Sequence, residues 1–445
     1  MKFLRIFQSI TGLLRRGRHS KFLALALMGF VLMLGACKDH ASAPGATAAG
    51  AGNPAAKQTS NYQVAVYYWP NYHVDPRNEA KLGKGWTEWE LVKAGKVKYP
   101  GQDQPHVPLW GYRDESDPKE MARSIDAMAD HGITAILFDW YRYNDGSFLD
   151  DCLRKGFLQA PNRNRIKFAL MWANHNFIDI FPRKSDNPTL WYAGTVTRPT
   201  FDRVTGEAVR DFFSQPNYWK IDGKPYFSIY ELHTMIKGLG GLKQTRDALE
   251  SFRARTTAAG FPGLHLDIVG WGLTQATILV KGQPMTGVDP SRTIQTEADL
   301  VAYLNADSVN WYTWTHVASP TEPTETYDHW GARSVPLWAK WQSDVRVPFY
   351  PNVSVGWDGS PRNYAGGIVV GNSPALFRKY LEQAKSYLDQ QPPDRRILTL
   401  NAWNEWVEGS YLEPDKRTGL GYLEAIQQVF GASSPGGNLQ AASGQ

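Results

Sequence analysis

The sequence predicts an α/β protein built as a single (β/α)₈ barrel. Three observations point there. Short apolar runs rich in Val, Ile, Phe and Tyr alternate with longer helical patterns between residues 62 and 430. There are eight such runs, and strand–helix alternation implies a parallel sheet that eight units can close. No GxGxxG motif follows the first run, and no phosphate-binding P-loop occurs, so the alternative of a doubly wound nucleotide-binding sheet lacks its fingerprint.

The expected strands are Val64–Trp69, Ala135–Trp140, Lys167–Trp172, Pro225–Tyr230, Leu266–Gly270, Ser308–Thr313, Phe349–Val355 and Ile397–Ala402. Each is four to eight residues of β-branched or aromatic type, the length of a buried strand rather than a helix. The helical patterns cover Pro118–His131, Ser147–Leu158, Gly206–Trp219, Leu242–Gly260, Glu297–Asn305, Thr326–Ser343, Pro374–Gln390 and Gly421–Phe430. Asp117-Pro118 is a start signal and Gly132 a stop signal for the first. The stretch Leu273–Arg292 reads as an insertion that shapes the barrel mouth.

A barrel gathers its chemistry at the carboxyl ends of its strands. Those ends read Tyr67-Tyr68-Trp69, Asp139-Trp140-Tyr141, Trp172-Ala173-Asn174-His175-Asn176, Tyr230-Glu231, Trp271, Trp311-Tyr312-Thr313-Trp314-Thr315-His316, Trp357-Asp358 and Trp403-Asn404-Glu405-Trp406-Val407-Glu408. Aromatic faces stack on sugar rings and the polar groups between them bond hydroxyls. The chain holds 17 Trp and is 13% aromatic, more than a core alone requires.

The net charge of +5 misleads. Six bases (Lys2, Arg5, Arg15, Arg16, Arg18, Lys21) and no acid lie in the first 37 residues, which leaves 42 bases against 43 acids in the rest. A near-neutral body argues against nucleic acid as a partner. The basic stretch precedes an apolar run, Phe22–Ala36, that ends in Leu34-Gly35-Ala36-Cys37. Residues 1–37 thus read as a signal peptide whose junction resembles a bacterial lipobox. That resemblance implies a lipid on Cys37, a membrane anchor, and a place in the cell envelope facing the periplasm or the exterior, with the outer membrane preferred. Residues 38–61 form an Ala/Gly/Pro/Ser tether and residues 431–445 a Gly/Ser-rich tail. Cys152 is then a lone buried thiol.

The candidate chemistry centres on Glu405 and Glu408. Cleaving a glycosidic bond needs a proton donor and a second group across the anomeric carbon, and paired carboxylates supply both. Positions three apart face opposite ways in a strand, so both reach one cleft only if the chain bends after Glu405, and Gly409 permits that bend. Trp403 and Trp406 can exclude water and raise a carboxyl pKa. Glu88, between Trp86 and Trp89, either grips sugar hydroxyls or caps a helix starting near Thr87. The other expected substrate contacts are Tyr68, Asp139, Trp172, Asn174, His175, Asn176, Glu231 and Asn404. Scattered histidines, with no HExxH and no CxxC, predict no metal, and nothing calls for an organic cofactor.

At these motifs the chain resembles glycoside hydrolase family 99-like proteins, over about Val64 to Asp415. The resemblance rests on Tyr67-Tyr68, Gly85-Trp86-Thr87-Glu88-Trp89, Trp172-Ala173-Asn174-His175-Asn176 and, above all, Asn401 to Asp415. The family-99 α-mannosidases carry a motif similar to Asn-Glu-Trp-His-Glu-Gly, whose glutamates fall on Glu405 and Glu408. Val407 replaces the His, and Ser410-Tyr411 stands where they have Thr-Gln. The resemblance implies a retaining glycosidase acting on polysaccharide, α-mannoside included. In it Glu405 deprotonates the sugar 2-hydroxyl, which attacks the anomeric carbon, and Glu408 protonates the leaving oxygen and then activates water. The rival expectations are an α-glucanase or transglycosylase on the same barrel, and a catalytically silent glycan-binding lipoprotein.

Overall fold

Eight parallel strands wrap into a barrel in the computed structural model, which describes residues 61–431. They are β1 (Gln63–Tyr68), β2 (Ala135–Tyr143), β3 (Lys167–Trp172), β4 (Lys224–Ile229), β5 (His265–Val269), β6 (Ser308–Asn310), β7 (Phe349–Tyr350 and Asn352–Ser354) and β8 (Ile397–Asn401). β1 pairs with both β2 and β8, and each later strand pairs with the next up to β6.

β7 closes the ring in two pieces. Phe349–Tyr350 pairs with β6, and Asn352–Ser354 pairs with β8. Pro351 stands between them. It has no N–H to donate, but its carbonyl accepts from the Thr399 amide at 2.9 Å. The two pieces are the single expected strand, divided by one proline, and the expected (β/α)₈ barrel is what forms.

The helices pack outside. Pro118–Asp130 begins as its sequence signal says: Asp117 accepts from the Lys119 amide at 2.8 Å and Pro118 takes the first helical position. Such a cap contributes about 1 kcal/mol. Other helices depart from expectation. The stretch after β2 first turns back as Gly146–Phe148, antiparallel to Tyr141–Tyr143, before a short π-helix at Cys152–Phe157. The helix expected from Gly206 begins earlier, at Arg198. The supposed insertion is largely ordered: Gly270–Val280 is a helix and Pro284–Met285 pairs with Asp289–Thr293. Its Gly and Thr residues masked the helical pattern, because both carry low propensity.

Inside the barrel, below the cleft, lies a polar cluster. Asp267 accepts from Ser228 at 2.8 Å, Ser308 at 2.7 Å and the Asn310 amide at 2.6 Å. Burial pushes its carboxyl up to about 7. Cys152 is buried, as expected, and has no disulfide partner among the described residues. No helix among the described residues is long and apolar enough to cross a membrane. The expectations for residues 1–60 and 432–445, including the lipobox at Cys37, lie outside the described residues.

Candidate active site

Side-chain alternation decides which strand-end residues reach the cleft. Successive residues of a strand point to opposite faces. On β2, Asp139 and Tyr141 turn to the barrel axis, while Trp140 turns out against Phe212. On β3, Met171 turns in and Trp172 turns out against Phe201. At the end of β1, Trp69 turns in and Tyr68 packs on Phe138. The result is a cavity of about 270 Å³ at the carboxyl ends of the strands, floored by acids and walled by aromatic rings.

The loop after β8 delivers both glutamates. Asn404–Glu405 pairs antiparallel with Ser410–Tyr411, with a 3₁₀ turn at Trp406–Glu408 between them. Gly409 closes the turn with φ +61°. This is the bend the sequence requires, and it lets Glu405 and Glu408 line one cavity. A side chain at Gly409 would place its Cβ 3.0 Å from the Asp358 Cβ and 3.2 Å from the Asp358 amide, so the position needs glycine for space as well as for its positive φ.

Arg362, in the loop after β7, binds the acids together. Its Nη1 donates to Glu408 at 2.6 Å, its Nε donates to Glu88 at 2.9 Å, and its Nη2 lies 3.8 Å from Glu405. Glu88 is fully buried. Its second oxygen accepts from the Trp69 indole at 2.5 Å and from Asn71 at 2.9 Å. Glu88 therefore neither lines the cavity nor caps the helix Trp89–Ala94 with its side chain; it anchors Arg362.

One guanidinium facing three glutamates leaves the cluster short of positive charge. Burial, with Glu408 next in weight, holds Glu405 well above the usual carboxylate range, and Arg362 opposes the shift. Burial also raises Glu408, against the pull of Arg362. Burial raises Asp139 strongly as well. The Tyr312 hydroxyl lies 2.9 Å from Asp139 and 3.1 Å from Glu405. A carboxyl that keeps its proton near neutral pH is what acid catalysis requires.

The far wall holds Glu231, whose carboxyl burial pushes up to about 7. His175 contacts the Tyr141 hydroxyl through Nε2 at 3.2 Å, and burial lowers its pKa. Burial takes His316 down to about 3. Burial thus disfavours the charged form of both rings, and each meets a tyrosine hydroxyl, Tyr141 for His175 and Tyr230 for His316.

Of the residues expected in the site, Glu405, Glu408, Asp139, His175, Asn176 and Glu231 line the cavity. The rest stand behind it. Tyr68 and Trp172 face outward for the parity reason above. Trp89 packs at a tilt between Tyr72 and Trp406, and Trp86 packs edge-on to Phe181. Trp406 stacks on Tyr411 with ring centroids 3.8 Å apart and donates to Glu413. Trp403 is wholly buried and absent from the cavity wall. Asn174 exchanges hydrogen bonds with the Glu231 backbone, and Asn404 does the same with Trp69. These two asparagines hold site residues in place rather than facing the cavity. Sequence reasoning missed Arg362, Tyr364, Phe177 and Phe181, and named Trp69, Tyr141, Tyr230, Tyr312, His316 and Trp357 only as strand ends. Among the described residues, no group of three or more His, Cys, Asp or Glu is placed to hold a metal ion.

Comparison with known proteins adds a family and a fold. A family model described as "Glycosyltransferase WbsX" matches residues 64–426. The protein WxcX of Xanthomonas campestris pv. campestris strain B100, described as uncharacterized, is 25% identical over 377 residues. The match takes in 82% of this chain and 49% of WxcX, so the chain spans about half the length of that relative. Among solved structures, a glycoside hydrolase-like protein superposes with a TM-score of 0.52 at 15% identity, over 86% of this chain and 98% of its own. The GH99 endo-alpha-mannosidase from Bacteroides thetaiotaomicron in complex with BIS-TRIS-propane does so with 0.50 at 13% identity, over 82% and 95%. At such identities the likeness speaks for the barrel alone. The matching family thus carries a transferase description, where the sequence motifs resemble a hydrolase family.

Proposed function

This chain belongs to the family described as Glycosyltransferase WbsX, and from that premise we propose that it is a glycan-processing enzyme that breaks glycosidic bonds in polysaccharide. One observation carries the reading: a buried glutamate, Glu405, and a partly buried one, Glu408, line an aromatic cavity beside a single shared arginine.

Glu408 is the acid. Its side chain is 12% exposed, open to an incoming leaving group, and burial favours its proton. Glu405 is the base, deeper and next to Tyr312. The motif's resemblance to family 99 supports the further step. Glu405 takes the 2-hydroxyl proton as O2 attacks the anomeric carbon. Glu408 protonates the departing oxygen, and an anhydro sugar forms. Glu408 then deprotonates the oxygen nucleophile that opens that ring, and Glu405 returns its proton to O2. Trp69, Tyr141 and Trp357 line the cavity and supply its aromatic wall for a sugar. α-Mannosides are the first substrates to try.

A second reading differs only in the final nucleophile. The family's transferase description favours a sugar hydroxyl in place of water. One experiment separates the two. Protein from Lys38 onward is incubated with α-mannans, α-glucans and bacterial surface polysaccharides, with and without acceptor oligosaccharide, and products are quantified. Released sugar that Glu408→Gln abolishes supports hydrolysis. Lengthened acceptor with little free sugar supports transfer. Retention on a polysaccharide without turnover would replace both readings with a glycan-binding protein.

The basic stretch, apolar run and Cys37 support attachment to the cell envelope through lipid. Metabolic labelling with palmitate tests it: label that persists in Cys37→Ser refutes the anchor.

A further inference from the structure

Four carboxyls stand in or against the cavity, and the geometry around one tyrosine says where a proton rests. The Tyr312 hydroxyl lies within hydrogen-bonding distance of Asp139 Oδ2 and Glu405 Oε1. The other oxygen of each carboxyl, Asp139 Oδ1 and Glu405 Oε2, is buried with no hydrogen-bond partner among the described residues. A phenol has one hydrogen to give and lone pairs with which to accept. Were both carboxyls ionised, the hydroxyl would serve one and turn a lone pair on the other. That arrangement leaves a buried anion unpaired. One added proton gives every contact a donor and an acceptor.

The surroundings decide which carboxyl carries it. Glu408 weighs against ionisation of both, but only Glu405 has a cation to oppose it, with Arg362 Nη2 3.8 Å away. Asp139 makes no ion pair among the described residues. The other groups around the pair supply no cation: Glu408 and, behind the wall, Glu88 are acids held by Arg362, Glu231 is an acid, Tyr141 and Tyr230 are phenols, and burial disfavours the charged form of His175 and His316.

We infer that Asp139 is a positioning residue that is protonated in the resting enzyme, its hydroxyl donating to the Tyr312 oxygen while Tyr312 donates to Glu405. No covalent bond to substrate is involved. The relay keeps Glu405 anionic, with one oxygen fixed by Tyr312 and the other free to take a proton from substrate. Its use in catalysis rests on the proposed function; its existence does not.

The test therefore needs no substrate. The infrared carboxylic C=O stretch is recorded for the protein from Lys38 onward in D₂O at neutral pH, and Asp267→Asn identifies the band of the other aspartate whose carboxyl burial raises. The expected result is a second protonated aspartate band that Asp139→Asn removes, that moves when aspartate side-chain carboxyls carry carbon-13, and that stays when glutamates carry the label. Tyr312→Phe moves it to the frequency of an acid without a hydrogen bond. A band that follows the glutamate label and that Glu405→Gln removes, rather than Glu408→Gln or Glu231→Gln, puts the proton on Glu405 and overturns the assignment. So does finding no protonated band lost in Asp139→Asn, and a band indifferent to Tyr312→Phe overturns the bridge. Because substrate never enters, an enzyme inactive on every glycan tried can still pass or fail.

Discussion

Arg362 and Glu408 come from loops after adjacent strands and meet at 2.6 Å inside the cavity. The contact ties the cation of one loop to the acid of the next. Arg362 also holds Glu88, which is fully buried, so the guanidinium is a structural keystone and an electrostatic one together.

Arg362→Ala strips Glu88 of its cation. Breaking a buried pair by removing one partner costs about 3–5 kcal/mol, and denaturant unfolding should read a loss of that order. Arg362→Lys should recover part of the stability and little of the turnover. A single ammonium cannot reach Glu88 and Glu408 as a planar fork does. Equal turnover in Lys and wild-type enzyme would remove Arg362 from the mechanism.

The activity profile should sit alkaline of an ordinary carboxylate pair. Activity rises as the base Glu405 ionises and falls as the acid Glu408 loses its proton, and burial moves both upward. Glu405→Gln and Glu408→Gln should each cost two to four decades, roughly, of the chemical step. Rate against pH checks the first claim. An acid limb centred at the usual glutamate value would contradict it.

Gly409→Ala should cost about 1–3 kcal/mol through strain at a positive φ, with contact against Asp358 added. Turnover should fall further than stability predicts, because the same hairpin aims Glu408. Thermal melts and initial rates measured on one preparation separate the two effects.

Asp267→Asn tests the polar heart of the barrel. The folded carboxyl titrates at about 7, against about 3.9 for a free aspartate. Between those values the folded state holds a proton that the unfolded state has released, so stability falls as pH rises. Over the full window the loss is about 4 kcal/mol. Asn removes it, so the variant should gain on the wild type from pH 4 to pH 8. A stability difference independent of pH would mean that Asp267 is already ionised.

The strands were the most legible part of the sequence. Apolar runs of the right length, such as Phe349–Val355, fall where β7 forms, because burial on both faces writes itself as uninterrupted apolar sequence. The glutamate hairpin was legible too, since Gly409 marks the turn that two inward acids require. Which aromatics reach the sugar was less so. Trp172 and Tyr68 looked equal to Trp69 and Tyr141 until each was assigned an inward or outward position. Arg362 was not legible at all. An arginine in a loop between Pro361 and Asn363 looks like any surface charge, and only the folded loop shows it buried among three acids.

The division of β7 at Pro351 reaches further than closure of the ring. Hydrogen bonding changes hands there: the residues before the proline are laced to β6, and those after it to β8. The barrel therefore has a clasp, a place where few backbone bonds span the joint and local opening is least costly. Arg362 rides on the loop that leaves Asn352–Ser354, and Glu405 and Glu408 ride on the loop that leaves β8, so cation and acids lie together on the β8 side of that clasp. Breathing of the clasp therefore leaves cation and acids together and moves them against Tyr312, which follows β6 and reaches Glu405 across the joint at 3.1 Å.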